Sequence, residues 1–311
     1  MNKIIKIFVL CFVILGISYY ISKDWDYNLI RSLKLDFRYL SISVILLLLH
    51  FILVCKLSHQ ILIFKKTISF ASYQQIYFIS QLGRYIPGKV WMVIGKFEAL
   101  RRKGFDLYWV TAASFIEMLL MALGAGIILT SCLIITPMSQ FNTISNLAPF
   151  FLVSGIIALF KVKFLISLFF RIFQPLFKNI ELQISNQIKV LKNISLFSIS
   201  IGYCVSWLIQ GIAFYFLIIS LKPDIQFSST FILIYVAAWF TGFVSIFAPS
   251  GIGVRESIMI LLLSLSISTT EAAAIAVFAR VWTTSVELLM TLMSVFVNDT
   301  SSTTEPVDSN E

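Results

Sequence analysis

Runs of roughly twenty apolar residues recur along the chain, at about 4–22, 38–55, 107–135, 148–172, 195–220, 229–248 and 271–297. Each is long enough to cross the hydrocarbon core of a bilayer as a helix, the one open-ended structure that satisfies all its backbone groups without water. Of the 311 residues, 59% are hydrophobic and only 13% charged, whereas a soluble domain carries roughly 25% charged residues to coat its surface. The expected fold class is therefore all-α, a polytopic integral membrane helix bundle with about seven full spans. Residues 1–297 form the membrane-embedded domain, and 298–311, rich in Ser, Thr and acid, read as a disordered acidic tail.

The net charge is +9, and because the tail holds acids but no Lys or Arg, the body before it is more basic still. With the charges spaced between spans, this reflects positive-inside loops and anionic lipid rather than nucleic acid. Nine basic residues fall between 56 and 104 and none in 136–147, which places the former region in the cytoplasm and the latter outside. Lys3 and Lys6 precede the first apolar run. Gly16-Ile17-Ser18 loosely matches a signal-peptidase site, but the apolar character continues through Tyr19, Tyr20 and Ile21, so the reading is an uncleaved span with a cytoplasmic N-terminus. The side of the C-terminus turns on whether 250–268 crosses or turns back.

Two further apolar stretches, about 68–97 and 250–268, are interrupted by Gly, Pro and charge and read as broken or re-entrant helices. Most prolines mark edges: Pro137 and Pro149 bracket a loop, and Pro223 sits in a turn. Pro87 and Pro249 instead lie beside glycine in apolar surroundings. Backbone that leaves the helix there must be covered by protein or line a wet cavity.

The first break reads Leu82-Gly83-Arg84-Tyr85-Ile86-Pro87-Gly88-Lys89-Val90-Trp91. A helix restarting at Pro87 turns free amides toward the break, and Arg84 and Lys89 add full charges, so a phosphate or carboxylate is the natural guest. Glu98 and Arg102, four apart, form a helix-stabilising pair. The second break reads Pro249-Ser250-Gly251-Ile252-Gly253-Val254-Arg255-Glu256. If the helix restarts near Gly253, Glu256 at its third position can cap free amides, and Arg255 stands at the mouth. Paired interrupted helices in the two halves of a chain are a pointer to a transporter site. The candidate headgroup-binding residues are Arg84, Pro87, Gly88, Lys89, Pro249, Gly251, Gly253, Arg255 and Glu256.

Charges inside spans need partners, since each disfavours insertion by at least ~2.5 kcal/mol. Glu117, Arg280 and Glu287 are candidates to tune the cavity, with Arg280 and Glu287 nearly on one helical face and Glu117 and Glu287 as partners for Arg84, Arg255 or Arg280. Lys161 and Lys163 read as snorkelling. Four scattered cysteines and two histidines, one of them His50 as an interhelical polar contact, suggest neither disulfides nor a metal site, and no cofactor is expected. Gly124-Ala125-Gly126 reads as a helix-packing patch. No P-loop, nucleophile elbow or zinc motif is present, so no catalytic residue is assigned.

The two break motifs resemble those of the lysylphosphatidylglycerol synthase transmembrane-region family, the flippase-like domain proteins, and the resemblance covers about 4–297. It implies a flippase in a bacterial or archaeal cytoplasmic membrane whose partners are membrane lipids, an anionic phospholipid or a polyprenyl-linked saccharide, together with envelope-assembly enzymes. The best-known members add a cytosolic aminoacyl-transferase domain that this sequence lacks, which leaves the cargo open. The leading expectation is an integral membrane lipid translocase holding an anionic headgroup in a central cavity. Two alternatives are a membrane-embedded glycosyltransferase using a polyprenyl phosphate donor, with Glu256 or Glu117 as base, and a non-transporting scaffold for envelope assembly.

Overall fold

The computed structural model describes residues 35–86, 90–136, 142–173, 196–245 and 249–296. Within them the chain is all-α, with no strand, and runs through ten α-helices: α1 Phe37–Leu62, α2 Phe70–Gln81, α3 Val90–Arg101, α4 Leu107–Ile135, α5 Asn142–Phe160, α6 Val162–Phe173, α7 Leu196–Leu221, α8 Ser229–Val244, α9 Val254–Leu263 and α10 Thr269–Phe296. Short 3-10 turns at Leu82–Tyr85 and Pro249–Gly251 fall at the two expected breaks. The first expected span, Cys11 and the tail lie outside the described residues.

Local chemistry marks where helices begin. The Asp36 carboxylate accepts from the amide of Arg38 at 2.8 Å to open α1, and Asp106 accepts from Trp109 at 2.8 Å to open α4. Ser69 and Ser228 do the same for α2 and α8. Asp106 also receives Lys65 from the end of α1, and this hydrogen bond, with those from the Trp109 and Tyr108 amides, outweighs partial burial and holds the carboxyl below its ordinary pKa.

The described residues show fewer than the seven expected spans, one of which, 4–22, falls outside them. Four described helices, α1, α4, α7 and α10, are long and apolar enough to cross a membrane, or five if the bent pair α5 and α6 is one span. Two physical reasons account for the other two. The expected span 148–172 bends by 82° at Lys161, between Ser145–Phe160 and Val162–Leu168. The expected span 229–248 yields only the 16 residues of α8, about 24 Å of helix against a core of about 30 Å. Pro149, expected to bound a loop, lies inside α5. Losing one amide donor there is a smaller penalty than leaving a whole turn of backbone unbonded in an apolar run.

The bundle packs through small residues and through side chains that bond the backbone of a neighbouring helix. Ser43 donates to the Ala213 carbonyl at 2.6 Å and His50 Nδ1 lies 2.9 Å from the Ser206 carbonyl, both tying α1 to α7. The Trp207 indole donates to the Met121 carbonyl at 2.9 Å, and Gly124 lets α4 approach the Tyr203–Cys204 backbone. Trp109, Tyr73, Tyr203, Tyr235 and Phe214 are fully buried, while Ile45, Leu49, Phe150, Leu261 and Phe296 point outward as lipid-facing side chains do. The remaining helices, α2 with α3 and α8 with α9, are helix–break–helix units whose arms pack against each other, and the tips of the two units meet.

Candidate functional site

At the second break α8 ends with Ser245 in extended conformation, and the chain passes through Ser250 at φ 50°, Gly251 at φ 69° and Gly253 at φ 84° before α9 starts. Left-handed backbone explains glycine at the last two positions. Glu256 sits at the third position of α9 and accepts from the Gly253 amide at 2.7 Å, the expected cap. Close approach explains Gly242 on α8: a Cβ there would lie 2.3 Å from Arg255 Cγ. The Arg255 stem thus crosses the α8 backbone, and its guanidinium is buried against Tyr235, 3.4 Å from the hydroxyl and 6.0 Å from the ring centre.

The first break is built differently. Gly83 packs against the start of α3, where a Cβ would stand 2.6 Å from the Met92 nitrogen. Arg84 donates to Glu287 Oε1 at 2.7 Å and to Gln81, while the Tyr85 hydroxyl donates to Glu287 Oε2 at 2.7 Å. Glu287 therefore serves Arg84, as the charge inventory allowed. Pro87, Gly88 and Lys89 lie outside the described residues, and the side chain of Pro249 is likewise not described.

One helix fastens both breaks. Seven residues before Glu287 on α10, Arg280 donates to the Ser250 carbonyl at 3.3 Å, lies 3.8 Å from Glu256 and stacks over the Tyr85 ring at 5.7 Å. Two breaks more than 160 residues apart in sequence thus meet on a single face of α10.

Between them lies a cavity of about 160 Å³ whose charged lining is Arg84, Lys96, Glu117 and Arg255; Ser250, Gly242 and the polar side chains of Tyr77, Gln81 and Ser114 also border it, and Met121, Trp239 and Phe243 are among its apolar walls. A smaller space of about 30 Å³ shares Arg84, Met121 and Trp239 and reaches His50, Gln210 and Glu287. Glu117, placed in the cavity wall as expected, pairs not with an arginine but with Lys96 at 2.9 Å. Both are buried, and Ser58 and Tyr77 donate to the same carboxylate at 2.6 and 3.1 Å.

Sequence reading missed Lys96, counted there among loop charges of a basic stretch. The signal was its setting, Val90-Trp91-Met92-Val93-Ile94-Gly95-Lys96, a lone cation in an apolar helix opposite a lone mid-span acid. It also missed Tyr73, Tyr77 and Tyr235, whose hydroxyls bond to this set and whose apolar bodies look like core. Glu98, by contrast, pairs on the exposed face of α3 with Arg101 at 3.2 Å and Arg102 at 3.6 Å.

Charge bookkeeping of the site is simple. Arg84, Lys96 and Arg280 each have an acidic partner within 4 Å; among the described residues Arg255 has none. Both carboxylates that a glycosyl-transfer reading would use as base are engaged, Glu256 by a backbone amide and Glu117 by Lys96. No group of three or more His, Cys, Asp or Glu side chains gathers among the described residues.

Fold and site together define a polytopic α-helical membrane protein with a charged cavity closed by two interrupted helices. More particularly, the chain belongs to the lysylphosphatidylglycerol synthase TM region family, whose model matches residues 4–290. It matches no curated protein and no solved structure.

Proposed function

We propose that this protein is an integral membrane lipid translocase whose cavity receives the anionic headgroup of a membrane lipid, in a bacterial or archaeal cytoplasmic membrane. The observation that carries the reading is Arg255. Its buried guanidinium has no acidic partner among the described residues, which leaves the cavity with an excess positive charge, and burying an uncompensated ion is unfavourable by several kcal/mol unless an anion joins it. Arg84 borders the same space from the other break, already neutralised, and orients the wall rather than supplying the free charge. The buried Nη2 of Arg280, which has no hydrogen-bond partner among the described residues, adds donor capacity beside Ser250.

Size and polarity fit the class. A cavity of about 160 Å³ is close to one that holds benzene, enough for a phosphate with a small substituent, and its largely apolar wall suits the start of an acyl or prenyl chain. The test is flipping of a fluorescent anionic phospholipid in proteoliposomes, read by the fraction accessible to a membrane-impermeant quencher. The expected result is protein-dependent equilibration between leaflets that Arg255→Gln abolishes; equal rates in wild type and variant would overturn the reading.

A further inference from the structure

The strongest buried group that headgroup binding leaves unused is the Lys96–Glu117 pair. Glu117 hangs from α4 into a shell contributed by every element around it. These are Cys55 and Ser58 on α1, Tyr73 and Tyr77 on α2, Lys96 on α3 and Tyr203 on α7, with Arg84 and Arg255 bordering the same cavity. Helices α5 and α8, which also pack on α4, carry no Asp, Glu, Lys, Arg or His. Among the described residues Lys96 is thus the one cation bonded to this carboxylate, and the ammonium is boxed by the rings of Tyr73 and Tyr77, 5.5 and 5.4 Å from their centres.

Two features distinguish this from a merely structural ion pair. First, it lines the cavity, so its charge acts on whatever the cavity holds. Second, the carboxylate sits in a hydrogen-bond network rather than in an ion pair alone: Ser58 donates to Oε2 at 2.6 Å, Tyr77 donates to Oε1 at 3.1 Å, and the Ser58 and Tyr73 hydroxyls lie 2.5 Å apart. A carboxylic acid keeps acceptor capacity for such hydroxyl donors and gains one donor of its own, so the same network holds Glu117 in either protonation state.

We propose that Glu117 binds a proton together with each headgroup, and that this couples lipid movement to a proton gradient; the inference rests on the headgroup reading above. The step is the addition of one proton from the aqueous phase to the Glu117 carboxylate, which forms a neutral carboxylic acid and leaves the Lys96 ammonium intact. Without the proton the cavity has, among the described residues, one unpaired cation, Arg255. With it, Lys96 becomes a second. An anion in the cavity therefore favours protonation of Glu117, and protonation of Glu117 favours the anion, by the same free energy.

The experiment is calorimetric titration of detergent-purified protein with dihexanoyl phosphatidylmethanol, an anionic phosphodiester of fixed charge, in buffers of different ionisation enthalpy and across a pH series. For wild type the expected result is net proton uptake on binding and a Kd that rises with pH, by at most about tenfold per unit. Glu117→Gln should take up no proton and bind with a Kd independent of pH. Wild-type binding without proton uptake, a measurement that needs no variant, would overturn the coupling while leaving the headgroup site standing, as would uptake that persists in Glu117→Gln. Failure of the wild type to bind the probe at any pH would instead overturn the headgroup reading itself.

Discussion

The two breaks look alike in sequence, each with glycine and proline beside an arginine, yet they differ in what the arginine has for company. Arg84 at the first is closed by Glu287, Gln81 and, through Glu287, Tyr85. Arg255 at the second has, among the described residues, no acidic partner and donates to the Tyr235 hydroxyl. Glycine serves different ends as well: Gly83 admits the α3 backbone, whereas Gly242 admits the arginine stem itself. The lesson is that a cation at a helix break is not by itself an anion site. The carboxylate on a distant helix decides whether it is spent on the fold or left for a ligand.

Arg255→Gln gives the largest expected effect. Loss of the free charge should weaken binding of an anionic lipid at least about thirtyfold, on the order of 2 kcal/mol, with no loss of thermal stability, because a buried unpaired cation is removed. Glu287→Gln should do the reverse. It strands Arg84, which is partly exposed, so the expected loss is about 2–3 kcal/mol of stability, seen as a fall of several degrees in melting temperature, with lipid still bound. The double change Arg84→Met with Glu287→Leu should recover most of that fall. Gly242→Ala sharpens the contrast between the glycines: it should displace the Arg255 stem and weaken lipid binding by about tenfold, whereas Gly83→Ala should lower stability by roughly 1–3 kcal/mol through the clash with Met92.

Smallest is a control at neither break. Asp106→Ala removes the cap of α4 and should lower stability by about 1 kcal/mol without touching lipid binding. Because the Asp106 carboxyl is held below its ordinary pKa, its contribution is fully present above an unfolded value near ~3.9 and is lost as pH falls through the lower folded value. A melting series should therefore show wild type and variant converging only in strong acid.

Length and apolar character made α1, α4, α7 and α10 legible to within a few residues over most of their ends, because a bilayer leaves a long apolar run few alternatives. The same rule overcounted. It says nothing about the bend at Lys161, which joins an outward-facing apolar run to a helix packed through Val162 and Ile166, nor about α8 stopping at Val244. The cap at Glu256 was legible because a carboxylate three residues past a glycine break is a local pattern. Pairings of charges across helices were not: Arg84 finds Glu287 across 203 positions and Glu117 finds Lys96 rather than an arginine, and only the packing of α2 and α3 against α4 and α10 determines which.

The most direct test of the contrast between the breaks is native mass spectrometry of the lipids that co-purify with three proteins: wild type, Arg255→Gln, and the double variant Arg84→Met with Glu287→Leu. Wild type and the double variant should retain the same anionic lipid and Arg255→Gln should lose it. Retention by Arg255→Gln with loss in the double variant would place the ligand at the first break and contradict that contrast.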